Sequence, residues 1–370
     1  MTDVAAVIGA LEELAPVHLA EDWDHVGLQV GDPGRPVSRV LVGLEVTEEL
    51  LAEVEDFRPD LVVTHHPLIF TPIDVLRTDR DPGRKVARLL AVGVSLYVLH
   101  TNYDVAPRGL NDHLAQSMGL SDVGVLGPGK GEELLKLAVF VPRGHVEDVM
   151  MALTEAGAGW IGNYSHCTFQ VQGTGTFRAL EGTDPFLGEV GQIERVEEVR
   201  LETILPARLR SAVLRALLEA HPYEEVAYDL YPLLNEGRVA GLGRVGSLPE
   251  PLSPRGLVAL AREVFGGVMR FLDGGREIRR VAVCAGAGSG LLEACLRRGV
   301  DAYVTGELGY HQGRVAQERG LTVVEVGHAN SEYPAVGALA AYLREAFPAL
   351  EVREARHPGE PLNPPAEEEG

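Results

Sequence analysis

Residues 61–68 read LVVTHHPL, an apolar stretch that ends in two adjacent histidines and a proline. Two further apolar stretches flank it, RVLVGLEV at 39–46 and SLYVLH at 95–100, and helical patterns separate the three. Strands that alternate with helices in this way form a mostly parallel sheet covered by helices on both faces. We therefore expect an α/β fold whose functional residues lie at the carboxyl ends of the strands.

The alternation of strands and helices is interrupted in the middle of the chain. It stops at the glycine-rich segment GPGKGEE (127–133) and resumes near residue 279. In between, LLKLAVFVP (134–142) and VRLETILP (199–206) are each followed by a helical pattern. This faint internal repeat is typical of a small ferredoxin-like α+β sandwich.

The sequence thus predicts an inserted domain within a discontinuous core. We expect a three-layer αβα core built from residues 1–128 and 240–356, with the inserted ferredoxin-like domain at 129–239. The remaining residues, HPGEPLNPPAEEEG at 357–370, are rich in Pro and Glu and have little to bury. They are predicted to form a disordered acidic tail.

Composition excludes several classes of partner. The 370 residues include 33 basic and 54 acidic ones, a net charge of −21 at pH 7 that disfavours binding to nucleic acid or to anionic membranes. Three cysteines without CxxC spacing do not form a disulfide framework, which favours a reducing compartment. There is no basic leader segment and no apolar run of about 18 residues. We expect a cytoplasmic protein with no membrane partner.

The two histidines of LVVTHHPL, His65 and His66, follow a predicted strand, and imidazole is a common ligand of transition metals. Taken alone, they could equally be ordinary histidines at a strand end. The next strand, SLYVLH, ends in His100 and is followed by Asp104. On local sequence Asp104 could be a ligand or a helix-capping residue. Parallel strands nevertheless bring both ends to one rim of the sheet.

A third strand end adds His328 and Glu332, which are four residues apart in GHANSEYP. On a helix this spacing places both side chains on one face, although an acidic residue near a helix start is favourable without any metal. Three strand ends with such side chains favour a metal site. The predicted ligands are His65, His66, Asp104, His328 and Glu332. Nitrogen and oxygen ligands suit Zn²⁺, Mn²⁺ or Fe²⁺, and five are enough for two ions that share a carboxylate.

Five blocks of the sequence resemble the signature blocks of the dinuclear-metal NIF-three-like family, commonly catalogued as GTP cyclohydrolase I type 2 homologues. The blocks are WDHVGLQVG (23–31), VVTHHPLIF (62–70), HTNYD (100–104), AYVTGE (302–307) and GHANSE (327–332). The resemblance covers nearly the whole chain except the tail. Its long form carries an inserted domain similar to the PII and CutA proteins, which fits the insertion predicted here.

The resemblance implies how the metal centre is arranged. His66 and Asp104 would hold one ion, His65 and His328 the other, and Glu332 would bridge the two. It also implies a ring-like homohexamer. The implied reaction is a cyclohydrolase one, in which water opens the imidazole ring of GTP, releases formate and yields dihydroneopterin triphosphate.

Other functions fit the same residues. A site with two metal ions also suits the hydrolysis of a phosphoester, so the substrate could be a nucleotide or another phosphorylated small molecule. For either hydrolase, His100 is the candidate proton shuttle. A different class is a ring-shaped regulatory protein whose metal ions are structural and whose inserted domain recognises a ligand.

Two weaker features lie near the predicted strand ends. The glycine-rich CAGAGSG (284–290) precedes a helix and could cradle an anion, but a tight turn from strand to helix is the favoured interpretation. Glu307 and His311 have i,i+4 spacing and could either line the metal cleft or form a surface pair.

Overall fold

The apolar stretches at 39–46, 61–68 and 95–100 each contain a strand, and the three strands are parallel neighbours in one sheet. In the computed structural model, which describes residues 2–235 and 237–361, this sheet has five strands. In spatial order they are Gly27–Val30, Ser95–Val98, Leu61–Thr64, Arg39–Gly43 and Glu351–Glu354. The edge strand Gly27–Val30 is antiparallel to its neighbour, and the other three pairings are parallel.

The later part of the chain forms a second sheet of six strands. In spatial order these are Arg270–Leu272, Thr322–Glu325, Ala302–Glu307, Ile278–Ala287, Arg244–Leu252 and Ser121–Val125. Ala302–Glu307 pairs parallel with both of its neighbours, whereas the other three pairings, at and next to the edges, are antiparallel. The sequence predicted mostly parallel strands here as well. It did not reveal the antiparallel edges, because they depend on pairings with distant segments.

Helices pack on both faces of each sheet, so the predicted α/β class is confirmed. The helices of this part of the chain are Val4–Leu14, Glu48–Phe57, Gly83–Ala91, Thr101–Val105, Leu110–Ser117, Pro254–Phe265, Leu292–Arg297, Tyr310–Glu318, His328–Glu332 and Pro334–Ala346. One buried cluster combines alternate residues of both sheets, such as Val40 and Val283, with helix residues such as Leu114 and Leu339. The residues between them, such as Leu41 and Ala282, face separate clusters on the outer sides. Among the described residues, no helix combines the length and hydropathy needed to span a membrane.

The chain divides into two compact units. The first comprises the sequence up to Gly129 and from Ala240 onward, and the second is Lys130–Val239. The second unit has strands Leu134–Pro142, Thr168–Arg178, Ile193–Pro206 and Tyr228–Pro232, and helices Val146–Glu155 and Arg210–Ala220. Short strands at Gly129–Gly131 and Val239–Gly241 lie at the division.

The strand order of the second unit is that of a ferredoxin-like sheet. Numbered within the unit, its four strands lie in the order 4-1-3-2 and all pair antiparallel. The strand Thr168–Arg178 is continuous across Gly173 and Gly175. Both glycines remain paired with the neighbouring strand, Gly173 with Glu198 and Gly175 with Val196.

The first residues of the predicted tail contact residues that precede them in the first unit. The ring of His357 lies 4.4 Å from that of Tyr333, and a Glu360 carboxylate oxygen accepts a hydrogen bond of 2.7 Å from the backbone N–H of Asn330. Residues 357–361 have no helix or strand. The predicted disorder of residues 362–370 concerns a segment outside the described residues.

Arg244 joins the two sequence segments of the first unit. Its guanidinium is almost fully buried and donates to both carboxylate oxygens of Asp112, at 2.5 and 3.0 Å. It also donates to the backbone carbonyls of Ala106, Gly241 and Gly243. Both Asp112 and Ala106 come from the segment that precedes the insertion, so one side chain satisfies polar groups from both segments.

We expect Arg244→Ala to destabilise the first unit, because it leaves a carboxylate and three carbonyls without their donor. The thermal midpoint measured by calorimetry should fall by roughly 5–10 °C, which corresponds to a loss of about 3 kcal/mol. The exposed Arg279 provides the control, and Arg279→Ala should stay within about 1 °C of the parent. Equal midpoints for the two variants would contradict this role for Arg244.

Candidate metal centre

The ends of parallel strands from both sheets bring the predicted ligands together. His65 and His66 directly follow strand Leu61–Thr64 of the first sheet. Their backbone N–H groups still donate to the carbonyls of Gly43 and Leu44, which continues the ladder past the strand and fixes the turn. His328 and Glu332 occupy the first and last positions of the short helix His328–Glu332, which follows a strand of the second sheet.

His65 is fully buried, and its ring orientation is fixed. Its Nδ1–H donates to the carbonyl of Leu99 at 2.8 Å, which leaves Nε2 directed at the carboxylates. That Nε2 lies 3.6 Å from Oδ1 of Asp104 and 3.9 Å from Oε1 of Glu332. Among the described residues, neither His65 Nε2 nor Asp104 Oδ1 has a hydrogen-bond partner, although both atoms are buried.

Glu332 is the centre of the cluster. Its Oε2 accepts hydrogen bonds from Nε2 of His66 at 2.7 Å and from Nε2 of His328 at 3.2 Å. The contact with His328 is the i,i+4 pairing expected from the sequence. The other nitrogen of His328 lies 3.4 Å from Glu307, so Glu307 is at the cleft, whereas His311 contacts the neighbouring ring of Tyr310.

These contacts differ from the pairing that the family resemblance implies. That pairing joins His66 to Asp104 and His65 to His328. Instead, His65 is the histidine that faces Asp104, and His66 and His328 share one oxygen of Glu332. Adjacent strand residues point in opposite directions, so the order of the two histidines in sequence does not decide which partner each one meets.

Two overlapping groups of side chains have the spacing needed to hold a metal ion. One is His66, His328 and Glu332, and the other is His65, His66 and His100, each with ligand atoms within 4.8 Å of one another. His100 was predicted as a proton shuttle. It lies as close to His65 and His66 as a ligand would, so its position suits either role.

His100 is oriented by Asp24, a residue to which the sequence analysis assigned no role. Nδ1 of His100 donates to Oδ1 of Asp24 at 2.9 Å, and Oδ2 of Asp24 accepts from the hydroxyl and the backbone N–H of Thr101. Burial alone would raise the pKa of Asp24, but the hydrogen bonds from His100 and Thr101 lower it to about 2. Asp24 is therefore a fixed anion behind His100, as is typical of groups that orient a metal ligand or a general base.

Burial and mutual contact shift the ionisation of the central residues. Burial lowers the pKa of His65 to about 3, and burial together with Glu332 raises the pKa of Asp104 to about 8. The hydrogen bond to Glu332 raises the pKa of His328 to about 9. Burial opposes ionisation of Glu332, but the hydrogen bonds from His328 and His66 hold its pKa below the ordinary value. Asp104 and His328 thus both retain a proton at neutral pH.

The chemistry of these donors fits divalent metal ions. Buried polar atoms without a partner are costly, and Nε2 of His65 and Oδ1 of Asp104 are two such atoms only 3.6 Å apart. Zn²⁺ binds imidazole nitrogen and carboxylate oxygen at about 2.0–2.2 Å, so both atoms can reach one ion between them. A cation would also offset the repulsion between Glu332 and Asp104 once Asp104 has lost its proton.

The glycine-rich segment CAGAGSG forms the wall beside Glu332. Gly286 has a φ of 61°, and a Cβ there would overlap Oε1 of Glu332 and lie 3.5 Å from the ring of His328. Its backbone N–H donates to the hydroxyl of Ser331 at 2.8 Å. The segment is the tight turn favoured from the sequence, since the strand ends at Ala287 and a helical turn follows immediately. The sequence signalled a turn, but the reason for glycine appears only in the contact with Glu332.

We expect Gly286→Ala to weaken metal binding, because the added methyl displaces the Glu332 carboxylate and strains a left-handed backbone. The affinity for Zn²⁺ or Mn²⁺ should fall at least about tenfold, as it does when groups that support metal ligands are lost. The measurement is metal titration with a chelator competitor. Gly290→Ala is the control, since no atom lies within 4 Å of its added Cβ. Unchanged affinity in a folded Gly286→Ala protein would contradict this role.

Metal uptake by the metal-free protein should release protons and tighten as pH rises. Metal ions bind deprotonated ligands, and Asp104 and His328 must lose protons held with pKa values of about 8 and 9. The apparent affinity should therefore increase from neutral pH to about pH 9 and then level off. Titration calorimetry in buffers of different ionisation enthalpy gives the number of protons released, which His328→Gln should lower by about one. Binding without proton release would contradict the expectation.

Comparisons with known proteins identify the family. The model of the family Duf34/NIF3 (NGG1p interacting factor 3) matches residues 2–359. A protein of Halalkalibacterium halodurans named GTP cyclohydrolase 1 type 2 homolog is 42% identical over 324 residues, 87% of each chain. One of the same name in Mycobacterium tuberculosis is 40% identical over 353 residues, 93% of this chain and 92% of that one. The crystal structure of a Bacillus cereus protein related to NIF3 covers 98% of both chains at 39% identity, with a TM-score of 0.89. The chain therefore belongs to the DUF34/NIF3 family.

Proposed function

We propose that this protein is a hydrolase that depends on two divalent metal ions, with Zn²⁺, Mn²⁺ and Fe²⁺ as candidates, and that GTP is its first candidate substrate. The observation that supports this most directly is the pair of buried, unpartnered ligand atoms on His65 and Asp104 beside Glu332. His66 and His328 complete the ligand set. The names of the relatives support the cyclohydrolase reaction, in which GTP and water yield dihydroneopterin triphosphate and formate.

A histidine beside the metal ligands can accept a proton and return it. When bound, divalent ions supply Lewis acidity that activates water and polarises a carbonyl or phosphoryl oxygen. His100 is held by the Asp24 carboxylate through Nδ1, and Nε2 is then the nitrogen free to take a proton from water. The Asp24 anion stabilises the imidazolium that forms. Ring opening of a purine also requires a proton for the departing nitrogen, which the same imidazolium can return.

An exposed aromatic pair next to His100 favours a substrate with a planar ring. The side chains of Trp23 and Phe70 are both about half exposed, and their ring centres are 5.9 Å apart. The Trp23 ring also contacts His100 edge-on, with centres 6.1 Å apart. Exposed aromatic rings beside a polar cleft are typical of ligand contacts, and a nucleobase can stack on either ring. This pair is our reason for preferring a nucleotide over a simple phosphoester.

The test of the reaction is formate release from GTP by metal-loaded protein, with metal content measured on the same samples. We expect about two ions per chain, falling to one or none in Glu332→Ala, and formate only where the ions are bound. Metal-loaded protein that releases no formate would exclude the cyclohydrolase reaction. Hydrolysis of model phosphodiesters by that same sample would then favour the phosphoesterase alternative, and inactivity toward both would favour a metal-binding regulatory protein.

Trp23 should report binding of a purine directly. The chain has two tryptophans, Trp23 and Trp160, and both are about half exposed. In Trp160→Phe, GTP should quench the remaining Trp23 fluorescence by stacking, whereas ribose 5-phosphate, which lacks the ring, should not. Trp23→Phe retains Trp160 in the other unit and controls for collisional quenching. Equal quenching of the two tryptophans would contradict a stacking role for Trp23.

A homohexameric ring is the proposed assembly. It is supported by the family resemblance alone, and sedimentation velocity tests it through the mass of the particle. A monomer or dimer at micromolar concentration would exclude the ring.

A further inference from the structure

The inserted unit contains a cavity lined with aromatic rings that is separate from the candidate metal centre. Its volume is about 400 Å³, enough for a small organic molecule. The rings that line it are Phe140, Phe177, Phe186 and Tyr223. All lining residues belong to the second unit, so the cavity is complete within the inserted ferredoxin-like domain.

The rings of Phe177, Phe186 and Tyr223 surround the cavity without filling it. The ring centre of Tyr223 is 6.2 Å from that of Phe177 and 6.3 Å from that of Phe186, and the planes are tilted by 58° and 50°. The side chain of Phe186 is half exposed, and its ring also contacts that of His145, with centres 5.5 Å apart. The fourth ring, Phe140, already has the Arg200 guanidinium 6.0 Å from its centre, and Arg200 is paired with Glu202.

The charged groups of the cavity are all acidic. Glu198, Glu224 and Glu225 line it, and its lining includes no Lys, Arg or His. Glu198 is held in place, since Oε1 accepts a hydrogen bond of 3.0 Å from the hydroxyl of Tyr223. A Cβ at Gly175 would overlap the Glu198 carboxylate, so the absence of a side chain there leaves room for it. The ligand must therefore tolerate several negative charges, which excludes phosphates and carboxylates.

Rings and carboxylates together indicate a cation with an apolar surface. The faces of aromatic rings carry negative potential and attract alkylated ammonium groups, and this attraction grows where water is excluded. A metal ion is a poorer fit. Among the described residues, both groups of side chains spaced to hold a metal ion belong to the candidate metal centre, and neither includes a carboxylate of this cavity.

We propose that this cavity binds a small organic cation of the alkylammonium class. The rings of Phe177, Phe186 and Tyr223 contact its alkyl groups, and Glu198 balances its charge. The inserted unit is then a ligand-binding domain in its own right, and its site does not depend on the reaction proposed for the metal centre.

The test compares choline with 3,3-dimethylbutan-1-ol, which has the same shape but no charge. Binding to the full-length protein is measured by titration calorimetry and by saturation-transfer NMR. Choline should bind at least about tenfold more tightly than the neutral molecule, because the latter gains neither cation–π attraction nor ion pairing. Equal affinity for the two molecules, or no binding of choline at millimolar concentration, would overturn the proposal.

Variants locate the site. Glu198→Gln and Phe177→Leu should each weaken choline binding at least about fivefold, while Tyr223→Phe, which keeps the ring and loses the hydroxyl, should have a smaller effect. Tyr231→Leu is the matched control, because Tyr231 is a half-exposed ring of the same unit that does not line the cavity. Should Phe177→Leu fail to fold, Glu198→Gln still tests the charge. Choline binding that survives Glu198→Gln and Phe177→Leu in folded protein would place the ligand elsewhere and refute the proposal.

Discussion

The burial of the Glu332 carboxylate constrains the rest of the first unit. A carboxylate with 3% exposure is stable only if hydrogen-bond donors reach it, and His66 and His328 supply them. His66 follows a strand of one sheet, and the helix with His328 follows a strand of the other. The two sheets must therefore meet at their strand ends, and Gly286 must lack a side chain where the carboxylate lies. A metal centre at that junction uses the same contacts.

The sequence was sufficient to predict which residues lie together at the site, but not which residue each of them contacts. His65, His66, His328 and Glu332 could be predicted because strand periodicity locates strand ends and parallel strands present those ends on one side. That His65, rather than His66, faces Asp104 depends on how the turn after the strand is hydrogen-bonded to another segment. The antiparallel edges of the second sheet could not be predicted for the same reason, since they pair residues far apart in sequence.

Supporting residues were harder to recognise than ligands. Asp24 lies in WDHVGLQVG, one of the blocks that carry the family resemblance, but its role depends on a contact with His100, 76 residues away. Gly286 is one of several glycines in its segment, and only the approach of Glu332 distinguishes it. In the inserted unit, the rings and carboxylates of the cavity come from four separate stretches of sequence (140, 177–186, 198 and 223–225) with no motif in common. Each of these features depends on tertiary packing, which periodicity and spacing do not encode.

The strand Glu351–Glu354 has a consequence for how the protein is made. It pairs with Arg39–Gly43, so the N-terminal sheet receives its last strand from a segment that leaves the ribosome about 300 residues later. The strand Ser121–Val125 likewise cannot pair with Arg244–Leu252 until the whole insertion has been translated. At roughly 5–20 residues per second, the nascent chain exposes unpaired strand edges for tens of seconds. The inserted unit, whose strands pair among themselves, can complete its own sheet during that interval.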